Sequence, residues 1–228
     1  MKKAVPMAAL ASAFAVSAHA EPGGVSGVSG PTVREGDTRI EARTAAFAGG
    51  GLDGAWSHRA QIGHAFTGWW RTTLIARASQ PDGDDAELRT IGIENRIDFV
   101  ATRQWPVHFG AQAEYKIGLN GADDEIEFKL LAEHQSGPLS ARLNLIAERR
   151  MHDRADWENG YAARLMWRAG DTVALGLEAF GEIYADAHAI GPRATVQFGE
   201  ATLAMGYLVG IDEAEADRQI RVGIEWSP

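Results

Sequence analysis

The side chains in this sequence with chemistry to offer are charged ones recurring at alternate positions inside apolar stretches: Arg43, Arg59, Arg71, Glu94, Arg96, Glu114, Lys116, Glu127, Lys129, Arg142, Glu148, Arg164, Arg168, Glu178, Arg193, Arg221 and Glu225. Both signs occur in similar numbers, so neighbours can pair across adjacent strands. Around a narrow water-filled lumen, mixed Arg and Glu rings would sort solutes by local field and by size. On a soluble sheet the same residues would form a solvated surface, so the decision rests on the opposite face.

Catalytic and metal-binding sets do not assemble from the remaining residues. A nucleophile needs a base within hydrogen-bond reach. The nearest case is His134 and Ser136 in EHQSGP, at a short turn where His134 is expected to face outward. No catalytic set is assigned, and no enzymatic activity is expected. The other histidines are scattered, without the converging ligands a zinc site requires. The chain has no cysteine, which removes disulfides, thiolate metal sites and cysteine nucleophiles. No metal and no cofactor is expected. The acidic runs at Asp82, Asp84, Asp85, Asp123, Asp124, Asp212, Glu213, Glu215 and Asp217 read first as solvated loops. Gathered at one rim, they could instead bridge through divalent cations to lipopolysaccharide. With a net charge of −9, the chain has no general attraction for nucleic acid.

The elements that must carry these charges have a period of two. In PVHFGAQAEYKIGL, Val107, Phe109, Ala111, Ala113, Tyr115, Ile117 and Leu119 alternate with His108, Gly110, Gln112, Glu114, Lys116 and Gly118. Alternation of this length is a strand with two unlike faces. The same reading gives about twelve strands, near 38–47, 55–66, 69–79, 87–101, 106–119, 125–135, 138–150, 159–168, 172–182, 191–199, 201–211 and 218–227. Their connections alternate between short turns (FTGW, TRQWP, QSGP, AGD, GE) and longer acidic loops. This is the layout of an all-β, closed, antiparallel up-and-down transmembrane barrel, with short turns on the periplasmic side.

Aromatic placement supports the membrane reading. Trp56 and Trp157 fall at the long-loop ends of strands, and Trp69, Trp70, Trp105, Trp167 and Trp226 at the short-turn ends. Two aromatic belts bracketing Ala, Val, Leu and Ile are expected where rings sit at both lipid interfaces. Residues 1–20 have the basic start, apolar run and Ala18-His19-Ala20 ending of a cleaved signal peptide. Residues 21–36 read as a flexible Gly/Ser/Pro leader, with insertion into a cavity as the alternative, and 37–228 as the barrel. Strand eleven places Ala204, Gly206, Leu208 and Gly210 in the lumen register without a charge, so open space is expected along that wall, unless the leader occupies it.

On these features the sequence resembles Gram-negative outer-membrane β-barrel proteins of the small porin and transporter type. Arg221, Gly223 and Trp226 fit the polar-x-Gly-x-x-aromatic part of the C-terminal signal read by the barrel-insertion machinery in that class. GHAFTGWWRTTLIA is similar to the strand, Thr-Gly turn, Trp pair and strand unit of outer-membrane transporters grouped with aromatic-degradation pathways. The resemblance implies an outer-membrane location, with lipid and lipopolysaccharide as surroundings and the insertion machinery as assembly partner. The leading functional expectation is a narrow channel for small hydrophilic solutes. A barrel closed by its own ion pairs, serving a structural or surface role, and a secreted soluble binder are the other readings.

Overall fold

The computed structural model describes residues 24–152 and 155–228; the expected signal peptide lies outside them. The described residues form twelve strands: β1 (Thr38–Ala48), β2 (Trp56–Ala65), β3 (Trp70–Gln80), β4 (Glu87–Asp98), β5 (His108–Gly118), β6 (Glu125–Ser136), β7 (Leu139–Arg150), β8 (Glu158–Arg168), β9 (Val173–Glu182), β10 (Ala187–Phe198), β11 (Ala201–Asp212) and β12 (Arg218–Trp226). Each pairs antiparallel with its sequence neighbours, and β1 closes on β12 from Ile40↔Trp226 to Ala48↔Arg218. Closure leaves no strand edge with unpaired N–H and C=O groups.

Alternation sets which side chains face out. Ile62, Leu74, Ile93, Leu145, Leu177 and Ile220 are all exposed on the outer surface, an arrangement that is favourable only against hydrocarbon. Trp56, Trp69, Trp105, Trp157, Trp167 and Trp226 are exposed as well. Trp70 is partly covered by Phe66 and Trp69, and its indole donates to Asn95 at 3.0 Å. Trp105 stands on the β4–β5 connection rather than on a strand.

Two strand boundaries differ from the sequence reading by more than two residues. β4 stops at Asp98 instead of near 101, because Thr102 folds the next residues into a short 3-10 turn, Val100–Thr102. The Thr102 hydroxyl donates to the Phe99 carbonyl at 2.8 Å and accepts from the Phe109 N–H at 2.8 Å. β10 begins at Ala187 rather than near 191, so its loop is shorter than expected. Ala187 and Ala189 are small enough to pack inward, while the His188 ring lies against Tyr161, with centroids 5.9 Å apart. Pro192 has no N–H to donate, and the β10–β11 ladder skips from Ile190↔Val209 to Arg193↔Gly206 around it.

The larger correction concerns the leader. Residues 24–36 do not form a flexible tail; they run inside the barrel from the short-turn end, where the Gly36 N–H bonds the Ala65 carbonyl at 2.9 Å, toward the long-loop end. Val25, Val28, Pro31 and Val33 are buried there. Burial of these side chains offsets the entropy of ordering so Gly-rich a segment. The lumen glycine Gly110 has room for it, since a Cβ there would collide with Pro31.

A charge on the outer band tests the lipid assignment. Leu145→Arg, at mid-strand, is expected to lower stability by about 2–4 kcal/mol in urea unfolding from lipid vesicles.

Candidate functional site

The strand registers turn Arg43, Arg59, Arg71, Glu94, Arg96, Glu114, Lys116, Glu127, Lys129, Arg142, Glu148, Arg164, Arg168, Glu178, Arg193, Arg221 and Glu225 to the inner face. Most are buried or half-buried; Arg168 is exposed at the short-turn mouth. They meet in compact groups. Arg77 reaches Glu114 at 2.7 Å, and Arg59 and Arg96 flank Glu94 at 3.6 and 3.0 Å. Lys116 sits between Glu148 at 2.6 Å and Glu125 at 2.9 Å, and Lys129 holds Glu127 at 2.9 Å. Glu178 serves Arg193 at 3.0 Å, Arg221 at 3.3 Å and Arg164 at 3.7 Å, and the Arg221 guanidinium lies 4.6 Å over the Phe180 ring. Pairing at these distances avoids the penalty of isolated charge inside the barrel.

The threaded segment takes up donors that the carboxylates do not. Asn144, wholly buried, accepts the Ser29 N–H at 2.8 Å and donates to the Ser29 carbonyl at 2.9 Å. Arg96 donates to the Gly30 carbonyl and the Ser29 hydroxyl, both at 3.2 Å, and Arg43 to the Val25 carbonyl at 3.3 Å. Arg221 donates to the Ser26 carbonyl. At the short-turn end Asp98 accepts the Val33 N–H at 3.0 Å, Arg103 donates to the Val33 carbonyl at 2.8 Å, and the His108 ring bridges Asp98 at 2.8 Å and Thr32 at 3.4 Å. Close approach explains a glycine of the leader: a Cβ on Gly30 would collide with the Arg142 guanidinium.

The free space falls into three parts. At the long-loop end a cavity of about 270 Å³ is lined by Glu125, Glu127, Glu148, Glu158 and Glu182 with Arg77, Arg89 and Lys116, and by Gly24–Ser26 of the segment. At the short-turn end a cavity of about 350 Å³ has five arginines and two glutamates in its lining, and it shares Arg39, Glu41, Arg142, Arg164, Arg193 and Glu225 with a mid-lumen space of about 110 Å³ beside Gly27–Gly30. No residue lines both the mid-lumen space and the long-loop cavity, and the boundary between them falls at Ser26 and Gly27 of the segment. The wall expected to be open is open only in part. Ala204 lines the 350 Å³ cavity, and Gly206 has only distant neighbours. Leu208 is buried against Val28, Phe180, Ala162 and Ala189, and loop residues Ala214 and Ala216 cover Gly210.

No family model matches the sequence, and no curated protein matches it either. Solved structures do. The KdgM porin, solved in complex with disordered oligogalacturonate, superposes with a TM-score of 0.65 at 9% identity, over 83% of this chain and 99% of that one. An outer-membrane channel from Pseudomonas putida F1 gives 0.64 at 10% identity, over 90% and 100%. The NanC porin gives 0.62 at 8% identity, over 82% and 98%. The fold is that of small outer-membrane porins. With its apolar, tryptophan-edged exterior, this chain is a β-barrel of the outer membrane.

Among the described residues no three His, Cys, Asp or Glu side chains converge to hold a metal ion. On the acidic rim, the Tyr115 phenol donates to Asp124 at 2.6 Å and the Gly118 N–H at 2.8 Å, holding the Asp124 carboxyl below the usual carboxylate range. His134 is exposed, with its ring bonded to the Pro106 carbonyl at 2.5 Å, and Ser136 is exposed at the end of β6. The sequence reading passed over Asn144, Arg103 and the inward Phe180. Alternation marks two of these: Asn144 stands between Leu143 and Leu145, and Phe180 follows Glu178 in the inner register. Nothing local in the sequence marks Arg103, whose role depends on a loop folding back.

Asn144→Leu would leave the Ser29 N–H and carbonyl without partners, a loss of about 1–3 kcal/mol for each such buried group. The expected result is faster amide exchange and protease cleavage between Ser29 and Val33, with the barrel still folded by heat-modifiable gel mobility.

Proposed function

We propose that the barrel is a narrow channel for small hydrophilic solutes, shut in this conformation by its own residues 24–36. The observation that carries this reading is the place of the segment: a cavity enters from each end, and residues 24–30 line both the long-loop cavity and the mid-lumen space beyond it. Charged and hydroxyl groups line both cavities, so a polar solute could exchange its water for protein partners along the way. The segment is attached to the wall by individual hydrogen bonds and not by strand pairing, so its withdrawal would break no ladder. No catalytic step enters this reading. Passage would be selected by the field of paired charges and by the width that the segment leaves.

A barrel kept closed by its ion pairs alone, with a structural or surface role, is favoured by the density of charge around Glu114, Glu127 and Glu178, where long side chains of the same or nearby strands pair inside the lumen. Planar-bilayer recording separates the two. Deleting residues 24–36 is expected to raise single-channel conductance several-fold over the intact protein. Adding Ala204→Phe and Gly206→Leu to that deletion is expected to lower it again. A deletion variant that inserts but stays silent would favour the closed barrel.

A further inference from the structure

We propose that the periplasmic half of the lumen holds a binding site for a small carboxylate anion. The site is the cavity of about 350 Å³ between the Pro138 turn and the level of Arg164 and Arg193. In the β7–β8 ladder Arg142 lies directly opposite Arg164, a pairing of like charges that is unfavourable unless something neutralises it. The available carboxylates do so incompletely. Glu133 takes Arg142 at 2.8 Å. Glu178 alone is shared among three guanidiniums, with Arg164 the most distant at 3.7 Å. Arg168 has no side-chain hydrogen bond or ion pair among the described residues, and the buried Nε of Arg193 has no acceptor. The two glutamates on the cavity wall do not cancel this excess. Glu41 is bound by Arg43 and by Gln61 at 2.6 Å, and Glu225 faces Arg39 at 3.8 Å.

Shape and donor type then define the ligand. Ala174, Ala204 and Gly223, on strands that alternate with the arginine-bearing ones, leave room between the guanidiniums, and Thr195 and Thr202 also line the cavity. Guanidinium forks match the two oxygens of a carboxylate, and charge-assisted bonds of this kind are about twice as strong as neutral ones. A space of this volume is at the small end of ligand pockets, about 300–1,000 Å³, which fits a short mono- or dicarboxylate. Occupancy requires only entry from the periplasmic mouth, so the site does not depend on solute crossing the barrel.

The test is titration calorimetry on the full-length barrel in detergent at fixed ionic strength, with succinate as probe and inorganic phosphate and the neutral butane-1,4-diol for comparison. Succinate is expected to bind and the diol not to. Arg164→Gln and Arg168→Gln are each expected to weaken succinate binding about tenfold, the loss of one charge-assisted contact. Heat-modifiable mobility checks that the variants are folded, and Arg168→Gln, at the exposed mouth, decides if Arg164→Gln is not. Absence of succinate binding, phosphate binding in its place, or unchanged affinity in the folded variants would overturn the proposal. Succinate binding by a barrel that conducts nothing even without residues 24–36 would leave this site in place while removing the channel reading.

Discussion

Hydrocarbon offers no partner to a peptide group, and every other feature of this protein follows from meeting that constraint. The pairing of β1 with β12 satisfies the two edges that an open sheet would leave bare. Once the sheet is closed, alternation has a fixed meaning: Ile220, Val222, Ile224 and Trp226 face lipid, and Gln219, Arg221, Gly223 and Glu225 face inward. A slip of one residue at any ladder would exchange the two sets and put arginine into the bilayer. The apolar exterior and the charged interior are therefore two results of one register.

The interior has its own balance to reach. Long side chains projecting inward from a twelve-stranded wall are crowded together, and each buried charge needs a partner. Glutamates supply many of them, yet guanidinium groups outnumber what Glu94, Glu114 and Glu178 can serve near mid-lumen. The backbone of residues 25–33 supplies further acceptors, at the carbonyls of Val25, Ser26, Ser29, Gly30 and Val33. A segment poor in side chains suits this place because its peptide groups are accessible, and its few valines fill the apolar spots left by Phe47, Phe180 and Leu208.

Strand number, closure and facing were legible in the sequence because a period of two is a local signal repeated twelve times. The inner position of residues such as Glu114 and Lys116 follows from their neighbours Ala113, Tyr115 and Ile117 without any knowledge of the rest of the chain. The place of the leader was legible only as the lesser of two readings. Its composition describes only its own weak tendency to order, whereas its position is set by Asn144, Asp98, Arg96 and Arg103, which lie far away in sequence. Strand ends failed for a similar reason: Ala187 and His188 look like loop residues until Tyr161 and Gly181 are placed beside them. The wall at Ala204 and Gly206 was visible as small residues, but whether anything covered it depended on the same distant contacts.

Arg43 on β1 and Arg221 on β12 belong to the two strands that meet at the seam, and both bind the inner segment, at Val25 and Ser26. Their partners in the ladder stand at opposite ends of the barrel sequence, so this is the contact of greatest loop-closure entropy and among the slowest to form. Until the seam zips, Arg221 does not stand beside Arg43 and the segment has only part of its lining. Sealing the cylinder thereby also completes the lining of its inner segment: the pairing that joins the first strand to the last sets side by side the two arginines that hold Val25 and Ser26.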